Sequence, residues 1–259
     1  MDWLHTVAGF GVGLMVGLTG VGGGALMTPV LVLLFGVAPA TAVGTDLWFA
    51  AMTKLVGAGV HGHGGTVDWQ VFRRLCLGSL PASIATLGVM KLGGVGQSGD
   101  LIVIAVGVVL LFTALAMLFK SRMHRLAYGL RTQSPAHFKR MQAPLTVVAG
   151  MVLGVLVTLT SIGAGALGAV MLIYLYPLRM TPVRLVGTDI VHAVPLTLLA
   201  GSGHLVMGNV DGGLLGWLLM GSVPGILVGS LLSARVPERT LRVGIAAMLA
   251  LVGMKMVAS

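Results

Sequence analysis

The sequence predicts an all-α, polytopic membrane protein of two inverted repeats, each a broken, re-entrant helix hairpin plus three transmembrane helices. Three observations lead there. The first is composition: 56% of the 259 residues are hydrophobic and 9% are charged, where a soluble domain carries about 25% charged residues. With 40 glycines and a mean hydropathy of +1.01, the chain suits close-packed helices in lipid rather than a water-soluble globule. The second is a glycine-rich interruption that occurs twice, at Thr19-Gly20-Val21-Gly22-Gly23-Gly24 and again at Thr160-Ser161-Ile162-Gly163-Ala164-Gly165. The third is the distribution of lysine and arginine, which falls on one side of the membrane only if the two halves point in opposite directions.

Taken in order, apolar segments run over 3–20, 24–37, 44–61, 69–91 and 101–119. A basic polar stretch, 120–143, carries Lys120, Arg122, Arg125, Arg131, Lys139 and Arg140. Further apolar segments follow at 144–160, 164–177, 186–206, 212–233 and 240–257. The chain therefore divides into a first membrane repeat, 1–119, a basic cytoplasmic linker, 120–143, read as a solvated loop, and a second membrane repeat, 144–259. Met1-Asp2-Trp3 lacks a basic n-region and no A-x-A site follows, so no cleaved signal peptide is expected.

The halves align on residues that chance rarely matches. Ala8-Gly9 corresponds to Ala149-Gly150, Val43-Gly44-Thr45-Asp46 to Val186-Gly187-Thr188-Asp189, and His61 to His204. Val67-Asp68 corresponds to Val210-Asp211 and Gly78-Ser79 to Gly221-Ser222, with Pro81 on Pro224. Such a repeat is the mark of a duplicated transporter architecture. Each broken first segment is about 33 residues, about 50 Å as one helix, against a hydrocarbon core of about 30 Å. A hairpin that enters and returns fits this length, with the glycine break at its tip. Under that arrangement the connections at 62–74, 177–186 and 234–242 join the linker on the inside, and 13 of the 16 basic residues lie there. The positive-inside rule then places both termini outside.

Broken backbone in a bilayer leaves amide groups unpaired unless protein or a polar cavity satisfies them. Gly20, Val21, Gly22, Gly23 and Gly24, with Gly163, Ala164 and Gly165, are thus candidate ligand contacts rather than simple packing glycines. A half-helix starting at such a break turns its free N–H groups and about half a positive charge toward it, which favours an anion. Thr19, Thr160 and Ser161 add hydroxyl donors. Lys54 lies about three turns into its segment, where a lysine costs about 2.5–3.5 kcal/mol on insertion scales. It reads as a buried cation for the substrate or for Asp46 or Asp189. Those two carboxylates follow Gly-Thr at the start of apolar segments and fit two roles equally, a helix cap or a proton carrier. His192, where the first half has Phe49, is the histidine placed to titrate. His61 and His204 read as interfacial, and Asp68 and Asp211 as the starts of the next helices.

Other classes find no footing. Cys76 stands alone, so neither an internal disulfide nor a cysteine metal motif is expected. No H-E-x-x-H, G-x-S-x-G or P-loop occurs, so neither a metal nor a cofactor is expected and no enzyme activity. The net charge of +9 reads as cytoplasmic basic connections, not nucleic-acid binding. The expected partners are a small anion and the lipid bilayer, and the sequence leaves a homodimer open.

The residues Gly9-Phe10-Gly11-Val12-Gly13, Gly20-Val21-Gly22-Gly23-Gly24 with Pro29, Ala42-Val43-Gly44-Thr45 and Gly65-Thr66-Val67-Asp68-Trp69 resemble the TauE/SafE family of sulfite-exporter-like permeases. In the second half Gly163-Ala164-Gly165, Val186-Gly187-Thr188-Asp189 and Gly208-Asn209-Val210-Asp211 carry the same likeness. The resemblance implies a bacterial inner-membrane transporter, an exporter of sulfite or organosulfonates by alternating access. Proton coupling through Asp46, Asp189 or His192 is the accompanying expectation. A passive anion channel, a membrane scaffold, or a cation carrier using the same carboxylates are the competing readings. Ala164 stands where the first break has glycine, and no proline matches Pro29, so the two tips are not expected to touch a ligand identically.

Overall fold

The computed structural model describes residues 2–19, 24–63, 65–93, 99–133, 135–163, 165–233 and 238–258. These residues form ten helices: α1 Asp2–Thr19, α2 Gly24–Phe35, α3 Pro39–His63, α4 Trp69–Gly93, α5 Gly99–Gln133, α6 Pro135–Thr160, α7 Ala166–Leu175, α8 Pro182–Val206, α9 Gly212–Ser233 and α10 Glu238–Ala258. Proline opens α3, α6 and α8, where its missing N–H costs nothing. Asp68 and Asp211 cap α4 and α9, each Oδ1 accepting from the N–H three residues on, at 3.2 Å from Val71 and 2.9 Å from Leu214.

Among the described residues, five helical stretches are long and apolar enough to cross a membrane: Trp69–Leu92, Ile102–Lys120, Lys139–Thr160, Pro182–Val206 and Gly212–Leu232. α3, at 25 residues, matches them in length but carries Asp46 and Lys54 inside it. Outward-facing apolar residues such as Leu77, Leu92, Phe112 and Leu231 are exposed, as lipid-facing positions are. The basic stretch 120–143 is not the loop expected of it. α5 runs on to Gln133 and α6 starts at Pro135, and Arg122, Arg125, Lys139 and Arg140 are exposed on helix. Hydropathy ends where helix does not, because Lys and Arg are good helix formers once out of lipid.

The two glycine-broken pairs fold back on themselves. The His5 and Phe35 rings, at the start of α1 and the end of α2, are 4.5 Å apart. Gln142 near the start of α6's apolar part donates to the Leu175 carbonyl at the end of α7, at 2.7 Å. The Thr146 and Tyr176 hydroxyls are hydrogen-bonded at 2.8 Å. Each pair therefore enters and leaves at one face. α2 and α7, of 12 and 10 residues, are about 18 and 15 Å long, too short to cross a core of about 30 Å.

The halves are interleaved. α1 lies along α9, α6 along α4, α3 along α8 and α5 along α10. Glycine makes the first two contacts backbone to backbone: Gly9 and Gly13 lie on the carbonyls of Leu218 and Ser222, and Gly150 and Gly154 on those of Leu75 and Ser79. The counterpart helices α3 and α8 run antiparallel, since Gly44 early in α3 meets Asn209 beyond the end of α8, and Gly187 early in α8 meets Thr66. Gly107 of α5 meets Gly253 near the end of α10 in the same sense. A cross-half clasp sits at each face: Thr188 Oγ1 accepts the Asp68 N–H at 2.9 Å, and Thr45 Oγ1 accepts the Asp211 N–H at 3.1 Å.

At the first of these faces Arg179 reaches Asp68 at 2.8 Å and Gln70 at 2.8 Å, and Arg74 donates to the Tyr176 hydroxyl at 3.1 Å. The connections before α4 and before α8 thus share one basic face with the start of α6. α1 starts and α10 ends at the opposite face.

Candidate functional site

The second break builds half of the site. α6 stops at Thr160; Ser161 then turns to φ 60°, Gly163 to φ 127° and Gly165 to φ 147° before α7 resumes at Ala166. A serine held at positive φ stores about 1–3 kcal/mol of strain that surrounding structure must sustain. Thr160 is committed locally, donating to the Leu156 carbonyl at 2.6 Å and accepting from the Ile162 N–H at 3.1 Å. Its hydroxyl shapes the turn. Gly165 is the N-cap of α7 and supplies no side-chain cap, so the positive end of this half-helix faces the break.

Asp46 is where elements meet. Thr28 of α2 donates both its N–H, at 3.2 Å, and its hydroxyl, at 2.6 Å, to Asp46 Oδ2. The Ser161 hydroxyl stands beside the same carboxylate. Residues from both broken hairpins thus reach one side chain of α3. Asp46 is wholly buried and sits two turns inside α3. The cap reading of Asp46 and Asp189 is overturned: α3 starts at Pro39, and α8 is capped by Thr181. The helices begin seven residues earlier than the carboxylates because Pro39 and Pro182 nucleate them ahead of the apolar run.

Asp189 lies across from Lys54. Its Oδ1 packs on Gly168 of α7, so closely that a side chain at 168 would overlap it. Lys54 interacts electrostatically with Asp189 first and with Asp46 second, and it also faces His192. Lys54 and Asp189 each keep 7% of their surface exposed, whereas Asp46 and His192 keep none. His192 is tied at Nε2 to the Ser79 hydroxyl of α4, at 2.9 Å.

Among the described residues, seven buried side-chain polar atoms lack a well-formed hydrogen bond, and four of them are here: Asp46 Oδ1 and Ser161 Oγ, whose side chains stand side by side, and Asp189 Oδ1 and His192 Nδ1. Native interiors rarely leave such groups unpaired, and a cluster of them asks for a ligand, a proton or ordered water.

Several sequence expectations meet this geometry differently. Gly20, Val21, Gly22, Gly23 and Ala164 lie outside the described residues; Thr19 ends α1 and Gly24 opens α2. Lys54, Asp46, Asp189, His192 and Ser161 are brought together. His204 is not interfacial: it is fully buried and donates from Nε2 to the Thr158 carbonyl at 3.0 Å, because α8 packs its last turn against α6. Three residues escaped sequence reasoning. Thr28 is a lone hydroxyl in an apolar run, Ser79 appeared only as part of a repeat match, and Gly168 became visible only through its neighbour. A small or hydroxylated residue one turn beyond each glycine break is the signal that links Thr28 and Gly168.

A family model described as "Sulfite exporter TauE/SafE" matches residues 5–256. The chain is 38% identical over 206 residues to "Probable membrane transporter protein YjnA" of Bacillus subtilis (strain 168), covering 78% of this chain and 79% of that protein. It is 40% identical over 60 residues to "Probable membrane transporter protein YunE" of the same organism, 23% of this chain and 22% of that protein. No solved structure matches the chain significantly.

Proposed function

The chain belongs to the sulfite exporter TauE/SafE family of membrane transporters, and from that premise we propose that it exports small sulfur-containing anions, such as sulfite or organosulfonates, by alternating access. The observation that carries the reading is the cluster of unpartnered buried polar atoms around Lys54. A buried cation, the Ser161 hydroxyl and the start of α7, which has no side-chain cap, suit a compact oxyanion. Lys54 and the Ser161 turn are the main ligand contacts in this reading, and the first break, Gly20 to Gly24, is a further candidate. Protons couple to transport through Asp46, Asp189 or His192.

The antiparallel course of α3 against α8, and of α5 against α10, supports two inverted halves around the site. Alternating access is then a tilt of one hairpin pair against the other. The basic face is cytoplasmic on this reading, in the inner membrane of a bacterium, with both termini periplasmic. Reporter fusions test this directly. A cytoplasmic reporter fused at Gln133 is expected to be active, and one fused after Met256 inactive; the reverse pattern would invert the topology.

A passive anion channel would use the same residues without alternation. Purified protein in liposomes separates the two. Saturable sulfite flux that accelerates with counter-sulfite, and again with an imposed pH gradient, is the expected result. Linear, non-saturating flux would establish a channel. No sulfite flux and no binding would remove the reading.

A further inference from the structure

With both of its carboxylates ionised, the site would hold too much negative charge to receive an anion. Among the described residues one cation, Lys54, faces two carboxylates, Asp46 and Asp189. Were both carboxylates ionised, the cluster would carry net negative charge before any substrate arrived. An added anion would put three negative groups around one ammonium in a buried setting, where like charges cannot all stay ionised. Something must enter with the anion, and the smallest candidate is a proton on one of the carboxylates.

The two carboxylates are not equivalent. Asp46 Oδ2 already accepts two hydrogen bonds from Thr28, and the residue is sealed from solvent. Among the described residues no hydroxyl donates to Asp189 in that way, and the residue of α7 that packs on it is Gly168. Asp189 Oδ1 accepts nothing, and like Lys54 the residue keeps a small exposure that Asp46 and His192 lack. The groups around it are few. α3 brings Lys54, with Asp46 farther along; its own helix brings His192; α4 reaches His192 through Ser79; α7 brings Gly168.

We propose that Asp189 takes up one proton for each anion bound. The anion takes over Lys54; Asp189, released from it, accepts a proton from the open aqueous side. The new O–H then donates to the anion, as a neutral acid can and a carboxylate cannot. When the anion leaves, the proton leaves with it and Asp189 returns to Lys54. This inference rests on the anion-transport reading and narrows its coupling to a single residue. For a monoanion the carried pair is electroneutral, so flux follows pH and the anion gradient but not membrane potential.

The test measures proton uptake by the purified full-length protein in weakly buffered detergent solution. The probes are methanesulfonate, which has no titratable proton near neutral pH, and sulfite in parallel. About one proton per bound anion is expected, with affinity falling about tenfold per pH unit on the alkaline side. Asp189→Asn is expected to bind methanesulfonate with no uptake and no pH dependence, and Asp189→Glu, which keeps a titratable acid, to retain the uptake. Anion binding without proton uptake in the unaltered protein overturns the proposal while leaving the transport reading intact. Uptake retained in D189N overturns the assignment to Asp189, and uptake lost in a folded D189E does the same where D189N does not fold. Binding of neither probe at any pH would fell the transport reading itself.

Discussion

Lys54→Met is expected to lower anion affinity by two to three orders of magnitude while the protein still folds. Truncating one partner of a buried charge pair at a binding contact costs about 2–5 kcal/mol, and each 1.4 kcal/mol is about tenfold in affinity. Here the lost partner is the cation facing both Asp189 and Asp46. Folding should survive, since methionine fills nearly the same length and removes a charge whose insertion is costly. Lys54→Arg should recover part of the affinity: the charge returns, but a planar fork replaces a compact ammonium. Isothermal titration with sulfite, beside a thermal melt, reads both effects. Unchanged affinity in a folded K54M protein would make Lys54 structural.

Gly221→Ala is expected to be the most damaging single methyl. The new carbon would fall on the Thr6 carbonyl oxygen and within 2.8 Å of the Phe10 nitrogen. Both are backbone atoms of α1 and neither can rotate away, so α1 must shift off α9. Overpacking of this kind costs about 1–3 kcal/mol, and a rigid backbone contact belongs at the upper end. Gly11→Ala is the control. It lies on the same α1 with open space around it, and it should be neutral or gain up to about 1 kcal/mol from helix propensity. Thermal unfolding in detergent should separate the two by several degrees. Equal melting temperatures would mean that α1 does not lie against α9 as described.

Much of this architecture was legible in the sequence because lipid simplifies the reading. With no water to satisfy backbone groups, an apolar run must be helix, so each apolar segment became one of α1 to α10. The repeat was legible through its unusual residues: Thr45 and Thr188 in matching motifs proved to be matching clasps on Asp211 and Asp68. What could not be read was partnership. Nothing near Thr28 in the sequence says that its hydroxyl meets Asp46, 18 residues away, or that Ser79 meets His192 across 113 residues. His204 looked interfacial because a helix end usually is. It is buried because another helix covers it. The linker looked like a loop because hydropathy reports the solvent around a residue, not its backbone conformation.

The interleaving of the halves also orders events at the ribosome. α1 has its long glycine seam on α9 and not on its own half, and about 200 residues separate the two. At a synthesis rate of about 5–20 residues per second, the first hairpin waits roughly ten to forty seconds before its partner emerges. For that interval an interrupted helix sits at the bilayer without the surface that will cover it. Anything that lengthens the pause, such as slow codons between α5 and α9, should expose this nascent hairpin to membrane proteases before assembly can shelter it.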